Sequence, residues 1–278
     1  MKKGISSLAF EGSMSLKEIF IQAKKFGFEG VELWLDPNGP VYPDITEAEL
    51  DVIKKDAEDA GISLYSLAAT VYWGASLVSD NKDERELAKG YVKSQLRIAS
   101  YLGCETILVI PGHTGVCFAP ELGIVDYETA YERALEAARE LAPYAKEAGV
   151  VIGMENVWNK FLMTPLEMRT FIDEVNSPWI QSYFDVGNVL TTSYPEHWIK
   201  ILGKRISKVH FKDFKTSIGN LEGFCDLLTG DVNYKAVMDA FKNAGYDGWA
   251  TCETGPYKTN NEINLKHISD AMDYIFSF

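Results

Sequence analysis

The sequence predicts an α/β fold, a single (β/α)8 barrel of the TIM type, and three observations support this prediction. One phrase, a charged helical segment followed by a glycine and a short apolar run, recurs five times along the 278 residues. Three further apolar runs fill the intervals, which gives eight βα units. No linker rich in Pro, Gly or Ser interrupts the chain, and barrels of this type routinely hold about 200 to 250 residues as one unit. We therefore expect one domain spanning residues 1–278.

The recurring phrase has a direct physical interpretation. A glycine just after a helix adopts the left-handed conformation that ends it. An apolar run of about four to eight residues is typical of a parallel strand that is buried on both faces. The five runs of this kind end at Leu35, Ala69, Gly112, Asn156 and Glu253.

The other strands and the helices follow from the segments between these runs. Three more apolar runs predict the remaining strands, at 5–10, 179–185 and 206–211. Helix-capping motifs begin at Ser15, Thr46 and Thr164. Helical periodicity covers the segments 83–102, 126–148 and 261–277. A short helix at 196–203 and a long loop at 212–232 complete the seventh unit. An open doubly wound sheet is the alternative, but no GxGxxG turn follows the first strand.

Composition and charge restrict which cellular compartment and which binding partners we expect. Asp and Glu outnumber Lys and Arg by 40 to 27, a formal net charge of -13 without a basic stripe, so we expect no nucleic-acid partner. The four cysteines form no CxxC pair and follow no zinc or disulfide spacing, which is typical of a reducing compartment. No uncharged apolar stretch reaches the roughly 18 residues of a spanning helix. We expect a cytoplasmic protein without a membrane partner. The sequence is also compatible with a homo-oligomer, either a dimer or a tetramer.

The active site of such a barrel lies at the carboxyl ends of its strands, so the polar residues that close the apolar runs are informative. Four consecutive strands each end near a residue that binds metals: Glu155, Asp185, His210 and Glu253. One such residue alone has a structural alternative as a helix cap or ion-pair partner. Three close carboxylates repel one another unless a cation neutralises them, so the set predicts one divalent ion. Oxygen-rich ligands with one imidazole favour Mn²⁺, then Mg²⁺ or Co²⁺, with Zn²⁺ also compatible. Glu32 on strand two is expected to support this set or to form an ion pair in the barrel mouth.

Five phrases carry a resemblance to a known family: GFEGVELW, GMENVW, SYFDVGN, KVHFKDF and GWATCETG. They resemble the sugar phosphate isomerase/epimerase family of xylose isomerase-like TIM barrels, which includes ketose 3-epimerases and L-xylulose-5-phosphate 3-epimerase. The resemblance covers essentially the whole chain. It implies that the metal is held by Glu155, Asp185, His210 and Glu253, and that the two glutamates are also the acid/base pair of catalysis.

The implied reaction starts from a small ketose or ketose phosphate that chelates the metal. The polarised carbonyl acidifies the neighbouring C–H, and one glutamate removes this proton to give a metal-stabilised cis-enediolate. Return of a proton to the opposite face is 3-epimerisation, whereas return to the adjacent carbon interconverts a ketose and an aldose. A lyase is the alternative, because inosose dehydratases and enzymes that deglycosylate C-glycosides eliminate from the same intermediate in this type of barrel.

Two positions depart from the pattern of the free-ketose 3-epimerases. Asn188 stands where those enzymes have a histidine three residues after the aspartate, and Phe161 stands where a glutamate follows the first catalytic one. Phosphopentulose epimerases also have asparagine at the position of Asn188, which favours that branch. Against it, no phosphate clamp is recognisable, and the cations expected near the rim are Lys212, Lys215 and Lys258.

Further residues near the rim are candidates for binding the sugar. Asn188 is placed to hydrogen-bond a hydroxyl, His113 follows strand four, and Lys212 follows strand seven. Trp34 and Trp158 are candidates for an apolar wall that excludes water. Each has a structural alternative: the histidine as an exposed loop residue, the lysine in an ion pair, and the tryptophans as packing between helix and barrel.

Two other classes of function are disfavoured. A DNA-repair barrel such as endonuclease IV requires a trinuclear zinc cluster with more histidines than the four present here. The net charge also opposes binding to DNA. A non-catalytic sugar-binding barrel is disfavoured because all four metal-ligand positions carry suitable residues.

Overall fold

Eight parallel strands close into a barrel surrounded by eight helices in the computed structural model, which describes residues 1–278. This confirms the predicted (β/α)8 topology. Each strand pairs with its neighbours along the chain, and the eighth pairs with the first, so the sheet has no open edge. The strands are β1 (Lys2–Ser6), β2 (Gly30–Leu35), β3 (Ser63–Ala69), β4 (Thr106–Val109), β5 (Val151–Glu155), β6 (Ile180–Asp185), β7 (Ile206–Phe211) and β8 (Trp249–Cys252).

The helices begin and end where local signals predict. Ser15, Thr46 and Thr164 each accept a hydrogen bond from the backbone of the glutamate three residues on, in capping boxes. The helices before β3 and β4 end at Gly61 and Gly103, whose φ angles of 68° and 80° are left-handed. No helix is both long enough and apolar enough to cross a lipid bilayer. The helices are α1 (Leu16–Lys25), α2 (Glu47–Ala60), α3 (Lys82–Leu102), α4 (Tyr127–Ala148), α5 (Pro165–Val175), α6 (Pro195–Leu202), α7 (Tyr234–Ala244) and α8 (Asn261–Phe276).

Aromatic packing fills the barrel interior near the amino ends of the strands. The ring of Tyr65 on β3 stacks on Trp249 of β8 with centroids 4.0 Å apart, and its hydroxyl lies 2.7 Å from that of Thr251. Gly4 on β1 makes room for this ring, because a Cβ there would lie 2.0 Å from the Tyr65 hydroxyl. The filled floor leaves the carboxyl ends of the strands as the place for a cavity.

Two strand boundaries differ from the prediction. The run 5–10 predicts one strand, but β1 ends at Ser6, whose hydroxyl accepts the backbone N–H of Leu8 and caps a short 3-10 turn. The run that ends at Gly112 predicts a longer β4 than the one observed. This strand ends at Val109, and Pro111 has no N–H with which to continue the ladder.

The long loop predicted at 212–232 contains no α-helix, as expected, and carries a short antiparallel ribbon that was not predicted. Asp213–Phe214 pairs with Phe224–Cys225 in this ribbon. The Asp213 carboxylate accepts three backbone hydrogen bonds of 2.9 to 3.1 Å, from Phe214, Gly230 and Val232. One carboxylate therefore ties the beginning of the loop to its end at the carboxyl side of the barrel.

Candidate metal centre and active site

The four predicted metal ligands converge at the carboxyl ends of β5 to β8. Glu155 and Asp185 are the last residues of β5 and β6, His210 lies one residue before the end of β7, and Glu253 directly follows β8. Alternate residues of a barrel strand face the interior, so neighbouring parallel strands bring these side chains together. One ligand atom from each residue lies within 4.8 Å of all the others. We call this set the ligand cluster.

The imidazole of His210 lies at the centre of the ligand cluster. Its Nδ1 is 2.6 Å from Glu253 Oε2, 3.5 Å from Glu155 Oε1 and 3.8 Å from Asp185 Oδ2. His210 Nδ1, Asp185 Oδ2 and Glu253 Oε2 are buried, yet none of them takes part in a hydrogen bond of normal geometry. Buried polar atoms without hydrogen bonds of good geometry are costly, and three such atoms beside one another fit a bound cation.

Lys212 brings a positive charge to the ligand cluster. Its Nζ lies 3.1 Å from Asp185 Oδ2 and 3.0 Å from Glu253 Oε2. Burial alone would lower the pKa of this ammonium, but the surrounding carboxylates outweigh burial and raise the pKa above its ordinary value, so Lys212 stays charged. In the forms that bind a metal, with the three carboxylates ionised and the imidazole neutral, the carboxylates and the ammonium together carry two negative charges, which a divalent ion neutralises. The donor set of carboxylate oxygens and one imidazole nitrogen therefore fits a divalent cation.

The two glutamates of the ligand cluster have different electrostatic environments. Burial raises the pKa of Glu155 to about 7, against the opposing effect of His210 and Lys212. Burial acts in the same direction on Glu253, but Lys212 and His210 outweigh it and hold the pKa of that carboxyl well below its usual range. Near neutral pH Glu155 is poised to gain or lose a proton, whereas Glu253 is ionised. Before a cation binds, the two carboxyl groups therefore differ in how readily they take up a proton.

A buried network beneath the ligand cluster orients His210. Its Nε2 lies 2.9 Å from Glu32 Oε1, and Glu32 Oε2 accepts hydrogen bonds from the hydroxyls of Ser66 and Tyr183. Both oxygens of this fully buried carboxylate are therefore occupied. In the neutral imidazole this contact places the proton on Nε2 and leaves the lone pair on Nδ1, which faces the other ligands. Of the two roles expected for Glu32, support of the ligands fits this geometry.

Two asparagines orient Asp185. The side chain of Asn156 exchanges two hydrogen bonds of 2.8 and 2.9 Å with the backbone of Asp185. The backbone N–H of Asn188 donates to Asp185 Oδ1 at 2.8 Å, which leaves Oδ2 for the ligand cluster. The side-chain amide of Asn188 donates to the Asn156 carbonyl at 3.0 Å. These bonds give Asn188 a positioning role in addition to its predicted contact with the sugar.

A cavity of about 510 Å³ adjoins the ligand cluster, and we call it the central cavity. Four of the five predicted sugar-binding residues line it: Trp34, Trp158, Asn188 and Lys212. The indole N–H of Trp34 donates to Ser6 Oγ at 2.7 Å, and that of Trp158 donates to the Asn188 carbonyl at 3.0 Å. Because the protein satisfies both N–H groups, the two tryptophans offer the cavity their apolar ring surfaces.

His113, the fifth predicted sugar-binding residue, is not among the residues that line the central cavity. It is buried and lines a neighbouring pocket together with Trp73 and Glu121. Burial lowers the pKa of His113, and its Nδ1 has no hydrogen-bond partner. The structure therefore separates His113 from the other four, and its structural alternative as an exposed loop residue does not hold, because the side chain is buried.

Comparison with known proteins identifies the family. The family model described as xylose isomerase-like TIM barrel matches residues 20–275. The chain belongs to the xylose isomerase-like TIM barrel family. The D-psicose 3-epimerase of Clostridium cellulolyticum H10, whose structure was solved with D-tagatose, is similar to this barrel with a TM-score of 0.81. The similarity covers 100% of this chain and 99% of that chain at 19% sequence identity, which shows a shared fold.

Three curated proteins are similar to this xylose isomerase-like barrel in sequence. An uncharacterized protein of Methanocaldococcus jannaschii is 25% identical over 181 residues, which cover 63% of this chain but only 59% of that protein. An Escherichia coli protein provisionally named L-ribulose-5-phosphate 3-epimerase is 23% identical over 260 residues, 88% of this chain and 85% of that protein. The inosose dehydratase of Geobacillus thermodenitrificans is 22% identical over 264 residues, 87% of this chain and 83% of that protein.

Several residues of this xylose isomerase-like barrel were not predicted at the site. Tyr183 precedes Asp185 by two residues, so strand alternation was a signal that it faces the same interior. Ser66 and Phe118 carry no comparable signal, because their contacts depend on how strands and loops from distant parts of the chain meet.

Proposed function

We propose that the chain is a metal-dependent sugar epimerase or isomerase that acts at the carbon next to a keto group. The main reaction in this proposal is 3-epimerisation of a ketose or ketose phosphate, carried out by one domain spanning residues 1–278 with Mn²⁺ as the ion. The observation that carries the proposal is the ligand cluster of three carboxylates and one imidazole beside the central cavity. The similarities to the provisionally named L-ribulose-5-phosphate 3-epimerase and to D-psicose 3-epimerase support it.

In this proposal Glu155 and Glu253 transfer the protons. Glu155 is the last residue of β5, and Glu253 directly follows β8. The strands β6 and β7 lie between them in the barrel, so the two side chains reach the substrate from different sides. One of the two glutamates removes the C–H proton, and the other returns a proton to the opposite face of the same carbon. A divalent ion held by the ligand cluster supplies electron withdrawal from the carbonyl, which acidifies that C–H. Lys212 and Asn188 line the central cavity, and in this proposal they contact sugar oxygens.

Solvent deuterium tests this proposal. Protein loaded with Mn²⁺ is incubated in D₂O with a panel of free and phosphorylated ketoses, and the products are analysed by NMR. We expect deuterium at C3 with inversion of that centre, and label at C1 or C2 would instead support aldose–ketose isomerisation. Absence of label from every sugar would overturn the proposal. Metal-free protein is the matched control, and we expect no label from it.

Elimination is the second candidate, favoured by the sequence similarity to inosose dehydratase. The same base removes the same C–H proton, and a leaving group on the next carbon departs before a proton returns. Mass spectrometry distinguishes the two reactions, because epimerisation keeps the mass of the sugar and dehydration lowers it by one water. A product lighter by one water would replace the epimerase proposal with this one.

A further inference from the structure

A second cavity adjoins the central cavity, and we propose that it binds a small organic carboxylate whose presence strengthens metal binding at the ligand cluster. We call it the side cavity. Its volume is about 270 Å³, and the loops that follow β5 and β6 supply most of its lining. The carboxylate is a molecule separate from the sugar, and its binding does not depend on the reaction at the ligand cluster.

The charge of the side cavity suits an anion. Lys160 is the only charged residue that lines it, and no carboxylate does. The central cavity differs, because four carboxylates line it against one cation, Lys212. The whole chain carries a formal net charge of -13. In such a chain, a cavity with a cation and no carboxylate is a place where an anion meets attraction and little repulsion.

A buried indole N–H in the wall of the side cavity lacks an acceptor. Trp198 on α6 is 1% exposed, and its ring stacks on Phe184 with centroids 5.9 Å apart. The residue lines the side cavity, and its Nε1 has no hydrogen-bond partner in the protein. An indole N–H can only donate, and leaving such a donor unpaired in the interior costs free energy. A ligand oxygen in the side cavity satisfies this donor.

The backbone of Lys160 is held in place at the side cavity. Its φ angle of 54° is left-handed, which is uncommon for a residue other than glycine. Its carbonyl accepts a hydrogen bond from Thr114 Oγ1 at 2.7 Å, and the next residue, Phe161, is buried. The lysine itself is exposed. Lys160 therefore presents a positive charge from the solvent side, and Trp198 presents a donor from the buried side.

The remaining lining of the side cavity indicates the class of anion. Phosphate is bound by several cationic or backbone donors at once, whereas this wall offers one ammonium and one indole N–H. Water occupies about 30 Å³ per molecule in the liquid, so the side cavity has the room of about nine waters. This is enough for a carboxylate with a short apolar body. The apolar side chains that would cover this body are Val157, Trp158, Leu162, Met163 and Val189.

The side cavity shares residues with the active site. Trp158 and Asn188 line both cavities, and the indole N–H of Trp158 donates to the Asn188 carbonyl at 3.0 Å. Asn156 also lines the side cavity, and its side chain exchanges two hydrogen bonds with the backbone of Asp185. A ligand in the side cavity therefore packs against residues that orient a metal ligand. Immobilising these residues and adding a negative charge nearby both favour metal binding.

The indole signals in an NMR spectrum report occupancy of the side cavity. Protein labelled with ¹⁵N and loaded with diamagnetic Mg²⁺ is titrated with benzoate and with isovalerate. Trp198→Phe assigns the Trp198 signal among those of the six tryptophans. We expect the Trp198 Nε1 proton to move downfield, because it gains a charge-assisted hydrogen bond. An unmoved Trp198 signal with both carboxylates would overturn the proposal. A shift confined to Trp34, which lines the central cavity but not the side cavity, would do so as well.

A matched pair of probes tests the role of the charge. Benzamide has nearly the shape of benzoate without its charge, so we expect benzoate to bind at least about fivefold more tightly in the same titration. Lys160→Met should weaken benzoate binding by about two- to fivefold and leave benzamide binding unchanged. Lys258→Met, at an exposed lysine that lines neither cavity, is the matched control. Equal binding of the two probes, equal losses in the two lysine variants, or tighter binding of inorganic phosphate than of benzoate would each contradict the assignment.

The link to the metal centre is tested with the same signal. Coupling between two sites is reciprocal, so benzoate should bind at least about threefold more tightly to Mg²⁺-loaded protein than to metal-free protein, as measured by the Trp198 shift. Benzoate that merely ligates the metal would not move this signal. Equal affinities in the two forms would overturn the link. None of these measurements requires turnover, so absence of deuterium from every sugar would overturn only the proposed function.

Discussion

The cavity wall built by the first four βα units differs in chemistry from the wall built by the last four. Every lining residue before position 150 is apolar, and the largest are Leu8, Trp34, Trp73 and Phe118. Every charged lining residue follows position 150: Glu155, Lys212, Asp213, Asp226 and Glu253. The first half of the barrel therefore shields the site from water, and the second half carries the groups that bind a cation and transfer protons.

The division is incomplete beneath the cavity. Glu32 on β2 and Ser66 on β3 belong to the first half, yet Glu32 lies 2.9 Å from the imidazole nitrogen of His210 on β7. The first half thus supports a ligand of the second half from below. In this barrel the apolar shielding residues and the reactive groups lie on separate sides of the mouth. The contact between Glu32 and His210 joins the two halves in the interior.

The largest expected effect tests the role of the second half. Glu155→Gln and Glu253→Gln each remove one carboxylate that is both ligand and proton-transfer group, so we expect turnover to fall by about 10³-fold or more. Turnover is followed by deuterium incorporation, and circular dichroism checks the fold. Glu136→Gln, on the exposed face of α4, is the matched control and retains full turnover. Full turnover in either cluster variant would contradict the division of roles.

A smaller effect tests the support from the first half. Glu32→Gln keeps the size of the side chain but weakens its attraction for the Nε2–H of His210, so we expect metal affinity to fall by about 10- to 100-fold. Titration calorimetry with Mn²⁺ measures the change. Glu29→Gln, an exposed residue just before β2, serves as the control and leaves the affinity unaltered. Unchanged affinity in the Glu32 variant would show that the two halves act separately.

The pH dependence of metal binding sharpens the electrostatic side of the comparison. Burial raises the pKa of Glu155 to about 7, and Glu32 and Glu253 raise the pKa of His210 although burial opposes them. A cation binds the deprotonated groups, and raised pKa values mean that protons must leave as it binds. Affinity should therefore rise with pH between about 6 and 8, by up to about tenfold per pH unit for each proton displaced. Calorimetry across this range checks the slope, and a flat profile would refute the argument.

The smallest expected effect concerns the shielding wall. Trp34→Phe removes the indole N–H that donates to Ser6 and leaves a slightly wider cavity, so we expect kcat/KM to fall by about 3- to 10-fold. Metal affinity should stay the same, because Trp34 supplies no ligand atom to the ligand cluster. Trp179→Phe, just before β6 at the opposite end of the barrel, is the matched control. A loss of metal affinity in the Trp34 variant would mean that the wall does more than shield.

Strand periodicity made the ligand cluster predictable. The apolar runs placed Glu155, Asp185 and Glu253 within one residue of the observed strand ends, and the barrel topology then required them to meet. The same alternation explains why Lys212, two residues after His210, reaches the cluster. These positions depend on local patterns that repeat along the chain, which a single sequence displays.

The loop-borne residues were less predictable. His113 follows β4 as expected, but it lines a neighbouring pocket, because the position of a loop side chain depends on contacts with other segments. Phe118, Asp226 and Tyr257 reach the central cavity from three different loops. The ribbon that positions one of these loops is held by backbone hydrogen bonds to Asp213, which no composition or periodicity indicates.

The pairing of β1 with β8 has a consequence for how the protein is made on the ribosome. Lys2 pairs with Trp249, and the amino group of Met1 lies 2.9 Å from an Asp247 oxygen, across 246 positions of sequence. A growing chain therefore exposes two unpaired sheet edges until its last strand has been synthesised. Glu253 directly follows that strand, so the step that seals the sheet also delivers the last ligand. Nascent chains that stop short of this point lack both the closed barrel and the complete set of ligands for a metal ion.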